Sequence, residues 1–455
     1  MRTAAVVIVL IILLVAVCCC IRSKQQNVFK DYYYFDANAT TPIGSDAMAS
    51  LTNSSWLGNA STDYANHNGA AKIIETASMV VRNAVSAPQD YKVCFNSGAS
   101  EGNSYILRTV SDHYITTDPA VVPHIIASAV EHKSTLKAIE SLVRLGRIEA
   151  TLIQPIMDGT IDPVAVAEHI KPNTRLITIM HANNETGCVN DIKEIGRVAA
   201  AHGIVFHTDA AQTFCKLDID VIGCNLDAVT ISGHKIYGPA GVGAMLLSPR
   251  VAQWHIGQIS GTQFDGLRGG TENLAGIAAL ATAITTTKRD RAAINQRLRH
   301  LKSTILSRLS KTYEPCEYHH FYGRADLDIP ALDALDASRA SRALDPHIGF
   351  TVFGDPSATL PGTLLVSFFK IGRYDLKDRV CNIKLKRALF DKKIIISIGS
   401  ACNTKAAGPS HVLTAMRAPF VIRSGTVRIS LLDTTSESDV EHLIKNLIAA
   451  VSAQV

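Results

Sequence analysis

Hydrophobic positions along this chain fall into three regimes. The first is one unbroken block, "AAVVIVLIILLVAVCCCI" from Ala4 to Ile21, which carries no charge. As a helix it would be about 27 Å long, enough to span a thin hydrocarbon core. The second regime, from about Tyr91 to Leu247, alternates short β-branched runs with helical periodicity. "HIIASAV" (His124–Val130), "RLITIM" (Arg175–Met180), "GIVFHTDA" (Gly203–Ala210), "LDAVTIS" (Leu226–Ser232) and "VGAMLLS" (Val242–Ser248) predict buried strands. "DIKEIGRVAAAHG" (Asp191–Gly203) predicts a helix that ends on glycine. Strands alternating with helices predict an α/β unit with a mostly parallel sheet, in which ligands bind beyond the carboxyl ends of the strands. In the third regime, Arg289–Leu309 predicts a charged amphipathic helix leading into a second unit. There "TLLVSFF", "KIIISIG" and "TVRISLL" predict strands among helices, a smaller α+β arrangement. Ala325–Ser341 has no clear period and is expected to be a loop or insertion.

The apolar block changes the picture of where the protein works. Arg2 precedes it, while Arg22, Lys24 and Lys30 follow it. This asymmetry predicts a single-pass amino-terminal anchor with the body on the cytoplasmic side. A cleaved signal peptide competes, but no small-x-small cleavage site follows the block. The Cys18–Cys20 cluster would lie at the membrane edge, where palmitoylation is one reading and plain apolar filling the other. Glycosylation sequons begin at Asn38, Asn53, Asn59 and Asn184. Two of them fall within motifs assigned below to the site, where a glycan would block it.

Composition narrows the function classes. The chain has 455 residues, 47% hydrophobic and 19% charged, with a net charge of +5. That is enough for two or three domains. No basic block tracks a phosphate backbone, so nucleic acid is not an implied partner. The 10 cysteines show neither CxxC pairs nor framework spacing, so no zinc site or disulfide scaffold is indicated.

Polar clusters follow the predicted strands. "FNSGASEGN" gives a small-residue turn (Ser97, Gly98, Ala99, Ser100) opening a helix, "AVEHKST" gives His132, and "HANNETG" gives Asn183, Asn184 and Glu185. "FHTDAAQT" gives Asp209 and Gln212, and "ISGHKIYGP" gives Ser232, His234 and Lys235. A lysine amine forms a Schiff base with an aldehyde cofactor. Pyridoxal phosphate also needs an acid at its ring nitrogen, for which Asp209 is suited. Its phosphate needs a cup, which amides at Gly98–Ser100 would supply. Each residue alone more often has a bland role as a cap, turn or solvated charge; the order and spacing of the set carry the argument.

The sequence resembles the cysteine desulfurases of the NifS/IscS type, within the class V aminotransferases of fold-type I. The likeness runs from about Tyr34 to about Leu447. It rests on "DANATTP" (Asp36–Pro42), "SGASEGN" (Ser97–Asn103), "EHKS" (Glu131–Ser134), "HANNETG" (His181–Gly187), "HTDAAQT" (His207–Thr213), "SGHKIYGP" (Ser232–Pro239), "RGGTEN" (Arg268–Asn273), "GSAC" (Gly399–Cys402), "PSHVLTAM" (Pro409–Met416) and "TVRISL" (Thr426–Leu431). The resemblance implies that Lys235 is the Schiff-base lysine and that Asp209 pairs with the pyridine nitrogen. Gln212 would reach the phenolic oxygen, and His132 would stack on the ring and move protons. Ala99, Ser100, Ser232 and His234 would hold the phosphate, with Thr271 reaching the cofactor of a partner subunit in a homodimer. Asn184 would lie beside both cofactor and substrate, and Asn38 and Arg428 would contact substrate, Arg428 at the substrate's carboxylate. Cys402 would form the persulfide and is also a candidate transient iron–sulfur ligand; no resident metal is implied.

The implied reaction takes sulfur from L-cysteine, leaves alanine, and passes sulfur to an acceptor such as an iron–sulfur scaffold protein. The expected organisation is a membrane anchor (1–24), read from the apolar block and atypical of the family, then a large domain binding pyridoxal phosphate (25–290) and a smaller C-terminal domain with the cysteine loop (291–455). Departures are plain. Asn38 follows Ala37 where the family has Asp-Asn-Ala-Ala-Thr-Thr-Pro, Ser100 replaces threonine, Gly58–Gly69 loses the usual spacing, and Lys370–Lys393 is unusually basic. Two other readings stay open: a selenocysteine lyase or other class V β-lyase or aminotransferase, and a catalytically inactive membrane-tethered scaffold.

Overall fold

The computed structural model describes residues 31–53, 58–62, 64, 69–254, 260–322, 348–371, 379–398 and 410–454. The apolar block and its cysteine cluster, the segment Ala325–Ser341 and Cys402 lie outside the described residues. Among the described residues, no helix is long and apolar enough to cross a membrane.

Strand β1 (Tyr33–Tyr34) opens the described chain. Seven strands then build the larger sheet: β2 (Lys92–Asn96), β3 (His124–Ser128), β4 (Glu149–Ile153), β5 (Thr174–Thr178), β6 (Val205–Asp209), β7 (Ala228–Ser232) and β8 (Gly243–Leu247), in the spatial order β2-β8-β7-β6-β5-β3-β4. β8 runs antiparallel to both its neighbours, and the remaining pairs are parallel. β3, β6, β7 and β8 are buried along their whole length. Continuous apolar, β-branched runs are what a strand needs when helices cover both faces of its sheet. The five strands predicted in this unit are all present with shifted ends, and the one predicted over Arg175–Met180 spans Thr174–Thr178. The run Gly203–Ala210 becomes Val205–Asp209 because Asp209 turns its carboxylate onto the amide of Ala211 at 2.9 Å, ending the ladder. The predicted helix over Asp191–Gly203 spans Ile192–Ala201. Asp191 caps it through the amides of Lys193 and Glu194, and Gly203 leaves it at φ +66°.

The helix predicted from Arg289 begins at Arg291, because Asp290 adopts a left-handed conformation (φ 54°) that separates it from the helix Leu274–Lys288. It buries Leu298, Leu301, Ile305 and Leu309, and Arg291 forks onto both carboxylate oxygens of Asp433 at 2.8 and 3.0 Å. A four-stranded sheet follows, ordered β13-β11-β10-β9, from β9 (Glu314–Pro315), β10 (Ile348–Val352), β11 (Thr363–Lys370) and β13 (Thr426–Ser430). β12 (Ile394–Ile395) pairs in parallel with β1. Phe35 therefore packs in the second core, with Ile394, Val427 and Leu447.

Candidate active site

The carboxyl ends of β2, β3, β5, β6 and β7 open onto one cavity of about 440 Å³, a size suited to a small-molecule site. Asn38, Ala99, Ser100, His132, Asn184, Asp209, Gln212, Ser232, His234, Lys235 and Arg428 all line it. Thr271 is exposed and is not among its lining residues.

Lys235 ends a single 3-10 turn just after β7. Its Nζ donates to the carbonyl oxygens of Asn38 at 2.6 Å and Ala39 at 2.7 Å. Burial, aided by the positive charges of Lys216 and Arg428, pulls its amine down to about 7, against the opposing pull of Asp36 and Asp209. Near neutral pH a substantial fraction is therefore the free base, the form that attacks a carbonyl carbon.

Asp209 stands at the end of β6, where its Oδ1 accepts from the Ala211 amide and its Oδ2 from Asn103 Nδ2 at 2.7 Å. Asn103 also donates to Ser134 Oγ at 3.1 Å, and Ser134 Oγ lies 2.8 Å from His132 Nδ1. The Ser134 amide also donates to that nitrogen. An Nδ1 that accepts from an amide leaves the proton on Nε2. Burial pulls His132 below the ordinary histidine value, with Asp209 pulling the other way. His234 is drawn down to about 4 by burial and by the charges of Lys235 and Lys216, so its imidazole is neutral at physiological pH.

Gly98 introduces the helix Ala99–Thr117 at φ 132°, a conformation that disfavours any side chain, and no side chain caps that helix. Ala99 and Ser100 of its first turn line the cavity, with Ser232 Oγ 3.6 Å from where a Cβ on Gly98 would sit. Glu101 in that first turn is tied back by the Ser97 amide (2.8 Å) and Arg268 (2.9 Å). Burial raises its carboxyl, but these partners outweigh burial and hold it below the usual carboxylate value.

On the opposite wall, Arg428 is fully buried on β13. Its Nη2 pairs with Asp36 Oδ1 at 2.5 Å, its Nη1 donates to the Asn184 carbonyl at 2.8 Å, and its Nε has no partner among the described residues. Gln212 gives its Nε2 to the Asn38 carbonyl at 3.0 Å and leaves a buried Oε1 unpartnered. Cys402 itself is not described, but both flanks of residues 399–409 root at this cavity. Ser397 pairs with Arg428 backbone to backbone. Ser410 Oγ donates to Glu185 Oε2 at 2.6 Å, and His411 Nε2 donates to the Glu131 carbonyl at 2.9 Å.

The profile described as Aminotransferase class-V matches residues 33–322. Cysteine desulfurase IscS of Anaeromyxobacter sp. (strain K) is 30% identical over 416 residues, covering 90% of each chain. The chain belongs to the class V aminotransferase family, in its IscS/NifS-like cysteine desulfurase branch. A solved structure described as SspA in complex with cysteine is 31% identical, with a TM-score of 0.65, over 88% of this chain and 98% of that one. A NifS-like protein, 23% identical, shares the fold with a TM-score of 0.73 over 93% of this chain and 100% of its own. The architecture is the α/β fold-type I arrangement, and the class V family uses pyridoxal phosphate.

The residues present fit that cofactor: an uncapped helix terminus for a phosphate, a buried carboxylate on a strand end, and a depressed lysine amine at the same cavity. Two site residues escaped the sequence reading. Asn103 sits inside the quoted "SGASEGN" stretch but gives no local sign of reaching β6. Glu131 precedes His132 and is fully buried. Its Oε1 accepts from Ser128 Oγ and the Met180 amide, and burial pushes its carboxyl up to about 8. The pairing of a glutamate with the apolar strand before it was the available signal.

Proposed function

We propose that this chain is a cysteine desulfurase that uses pyridoxal phosphate to take sulfur from L-cysteine, leaving L-alanine and a persulfide on Cys402. The observation that carries this reading is the meeting of Lys235, Asp209, His132 and the uncapped Ala99–Thr117 helix terminus at one cavity. When bound there, pyridoxal phosphate supplies the electron sink that lets the substrate α-proton leave. Amides of Ala99 and Ser100, with Ser232 and His234, would hold its phosphate. Asp209, fixed by Asn103 and the Ala211 amide, would hold a proton on its ring nitrogen. Lys235 Nζ, drawn down to about 7, would hold the aldehyde and then take the substrate α-proton. His132, with its proton on Nε2, lines the same cavity, and Arg428 and Asn38 would contact the substrate, Arg428 at its carboxylate.

Sulfur transfer then needs a thiolate. Burial pushes Cys94 and Cys215 up to about 12 and Cys188 to about 11, so these thiols stay protonated. Cys402, in "GSAC" between flanks rooted at the cavity, takes the role. Its thiolate attacks the substrate sulfur, the S–S bond forms, the Cβ–S bond breaks, and the released electron pair is protonated on carbon to give alanine. The persulfide passes to an acceptor such as an iron–sulfur assembly protein. Exposed Thr271 would complete the site of a second copy in a homodimer.

We also read Ala4–Ile21 as a membrane anchor with the body on the cytoplasmic side. Asn38, the first residue of a sequon, is buried beneath Lys235 and Gln212, where a glycan has no room.

The test is the full chain in detergent, assayed for cofactor absorbance and for alanine and sulfide from L-cysteine. Cys402→Ala is expected to keep the absorbance and lose desulfuration. Turnover that survives this change would indicate a selenocysteine lyase-like or other β-lyase chemistry. A folded protein that takes up no cofactor would make it an inactive scaffold.

A further inference from the structure

The basic stretch around Lys370–Lys393 has no part in the chemistry above. Its described carboxyl-terminal portion forms the helix Asn382–Asp391, which buries Leu385 and Leu389 against the second core. The opposite side carries Ile383, Arg387 and Phe390 at helical spacing, all exposed, with exposed Lys384, Lys392 and Lys393 around them. Ile383 is 59% and Phe390 48% exposed, unusual for apolar residues on a charged helix. Lys384, Lys386, Arg387, Lys392 and Lys393 stand against the single acid Asp391. A helix face that mixes cations with protruding apolar side chains suits a boundary where headgroups and acyl chains meet.

Position decides between occupants. The chain joins the folded body beside this helix: β12, immediately after it, pairs with β1, and the Tyr32 ring lies 5.4 Å from Phe390. Between Ile21, the last residue of the apolar block, and Tyr32, a fully extended backbone covers at most about 40 Å. That tether carries Arg22, Lys24 and Lys30. A tether of at most about 40 Å keeps the surface beside the attachment, which includes this helix, within reach of the bilayer.

We propose that the outer face of the helix Asn382–Asp391 is a docking surface for an anionic lipid bilayer, with Ile383 and Phe390 entering the headgroup boundary and Lys384, Arg387, Lys392 and Lys393 pairing with acidic headgroups. The proposal rests on the membrane-anchor reading, and the experiment separates the two. The full chain is reconstituted into vesicles of phosphatidylcholine with or without phosphatidylserine. Amide hydrogen exchange is followed over residues 382–393, and carbonate extraction reports insertion. Expected is slower exchange of this helix with phosphatidylserine only, reversed by high salt, in a protein that resists extraction. Lys384→Glu with Arg387→Glu should reduce the protection of this helix on phosphatidylserine vesicles by roughly tenfold or more. Its desulfurase activity in detergent should be unchanged, which also shows that it folds. Resistance to extraction without helix protection keeps the anchor and overturns the docking surface. Extraction with protection retained overturns the anchor and keeps the surface as a peripheral contact. Equal protection by polyglutamate without lipid overturns the lipid assignment in favour of an acidic protein.

Discussion

The side-chain nitrogen of Asn103 stands 2.7 Å from Oδ2 of Asp209, 106 positions further along the chain. The same nitrogen reaches Ser134, which reaches His132. One amide therefore fixes both the acid expected at the cofactor nitrogen and the imidazole expected at its face. Asn103→Ala removes a donor to a buried carboxylate, an interaction of about 1.5–3 kcal/mol. Titrating the apo chain with pyridoxal phosphate should show affinity reduced by about ten- to a hundredfold. An affinity within twofold of the parent would mean that the bridge does not govern Asp209.

Lys235 should titrate far below an ordinary lysine. In the cofactor-free chain, acylation of Lys235 followed by mass spectrometry should reach half its maximum near pH 7, where its amine is drawn by burial first and by Lys216 second. Lys216→Met removes one of the repelling charges, so the midpoint should move up. A midpoint that stays fixed, or moves down, contradicts the assignment of that charge.

The bond from Ser410 to Glu185 ties the segment after Cys402 to the chain next to Asn184. Glu185 is fully buried and has its other carboxylate oxygen unpartnered among the described residues. Ser410→Ala should lower stability by about 1–3 kcal/mol and reduce kcat for alanine formation, while leaving cofactor affinity as it was. Equal losses in kcat and cofactor affinity would place the effect on the whole cavity instead.

Stability should fall as the solution is acidified. His181 is drawn by burial to about 4 and His207 to about 3. His207 is held neutral between Thr178 and Thr230 at 2.8 and 2.9 Å. In the unfolded chain both take up protons near pH 6.5, while the folded chain does not. The unfolded state then binds more protons, so stability drops from about pH 6.5 down to the folded values. The contribution at stake is on the order of 3 kcal/mol for His181 and about 5 kcal/mol for His207. Denaturant melts between pH 7 and 4 should show it, and His207→Gln should flatten part of the slope.

What the sequence determined by itself is local and periodic. Runs such as Ala228–Ser232 specify strands because a doubly covered sheet needs apolar side chains on both faces. Asp191 and Gly203 mark a helix because the groups they satisfy lie within the same turn. Lys235, Asp209 and His132 could be nominated together because parallel strands gather their carboxyl ends on one side of a sheet. Direction is less visible, since apolar patterning is the same whichever way a strand runs. β8 is antiparallel to β7 because the stretch joining Ser232 to Gly243 turns tightly through Lys235 and contains no crossover helix.

Only the tertiary structure decided the contacts between distant segments. Asn38, which looked like a departure from the family opening, presents its backbone carbonyl to Lys235 and Gln212 and its side-chain Nδ2 to the Asn184 carbonyl and Thr363 Oγ1. Arg428, expected on a substrate carboxylate, is held by Asp36 and the Asn184 carbonyl. Such partners lie 146 to 392 positions away. A polar side chain carries no periodic mark of where it will find them; it is the closing of the two cores around the cavity that buries these groups and obliges them to pair.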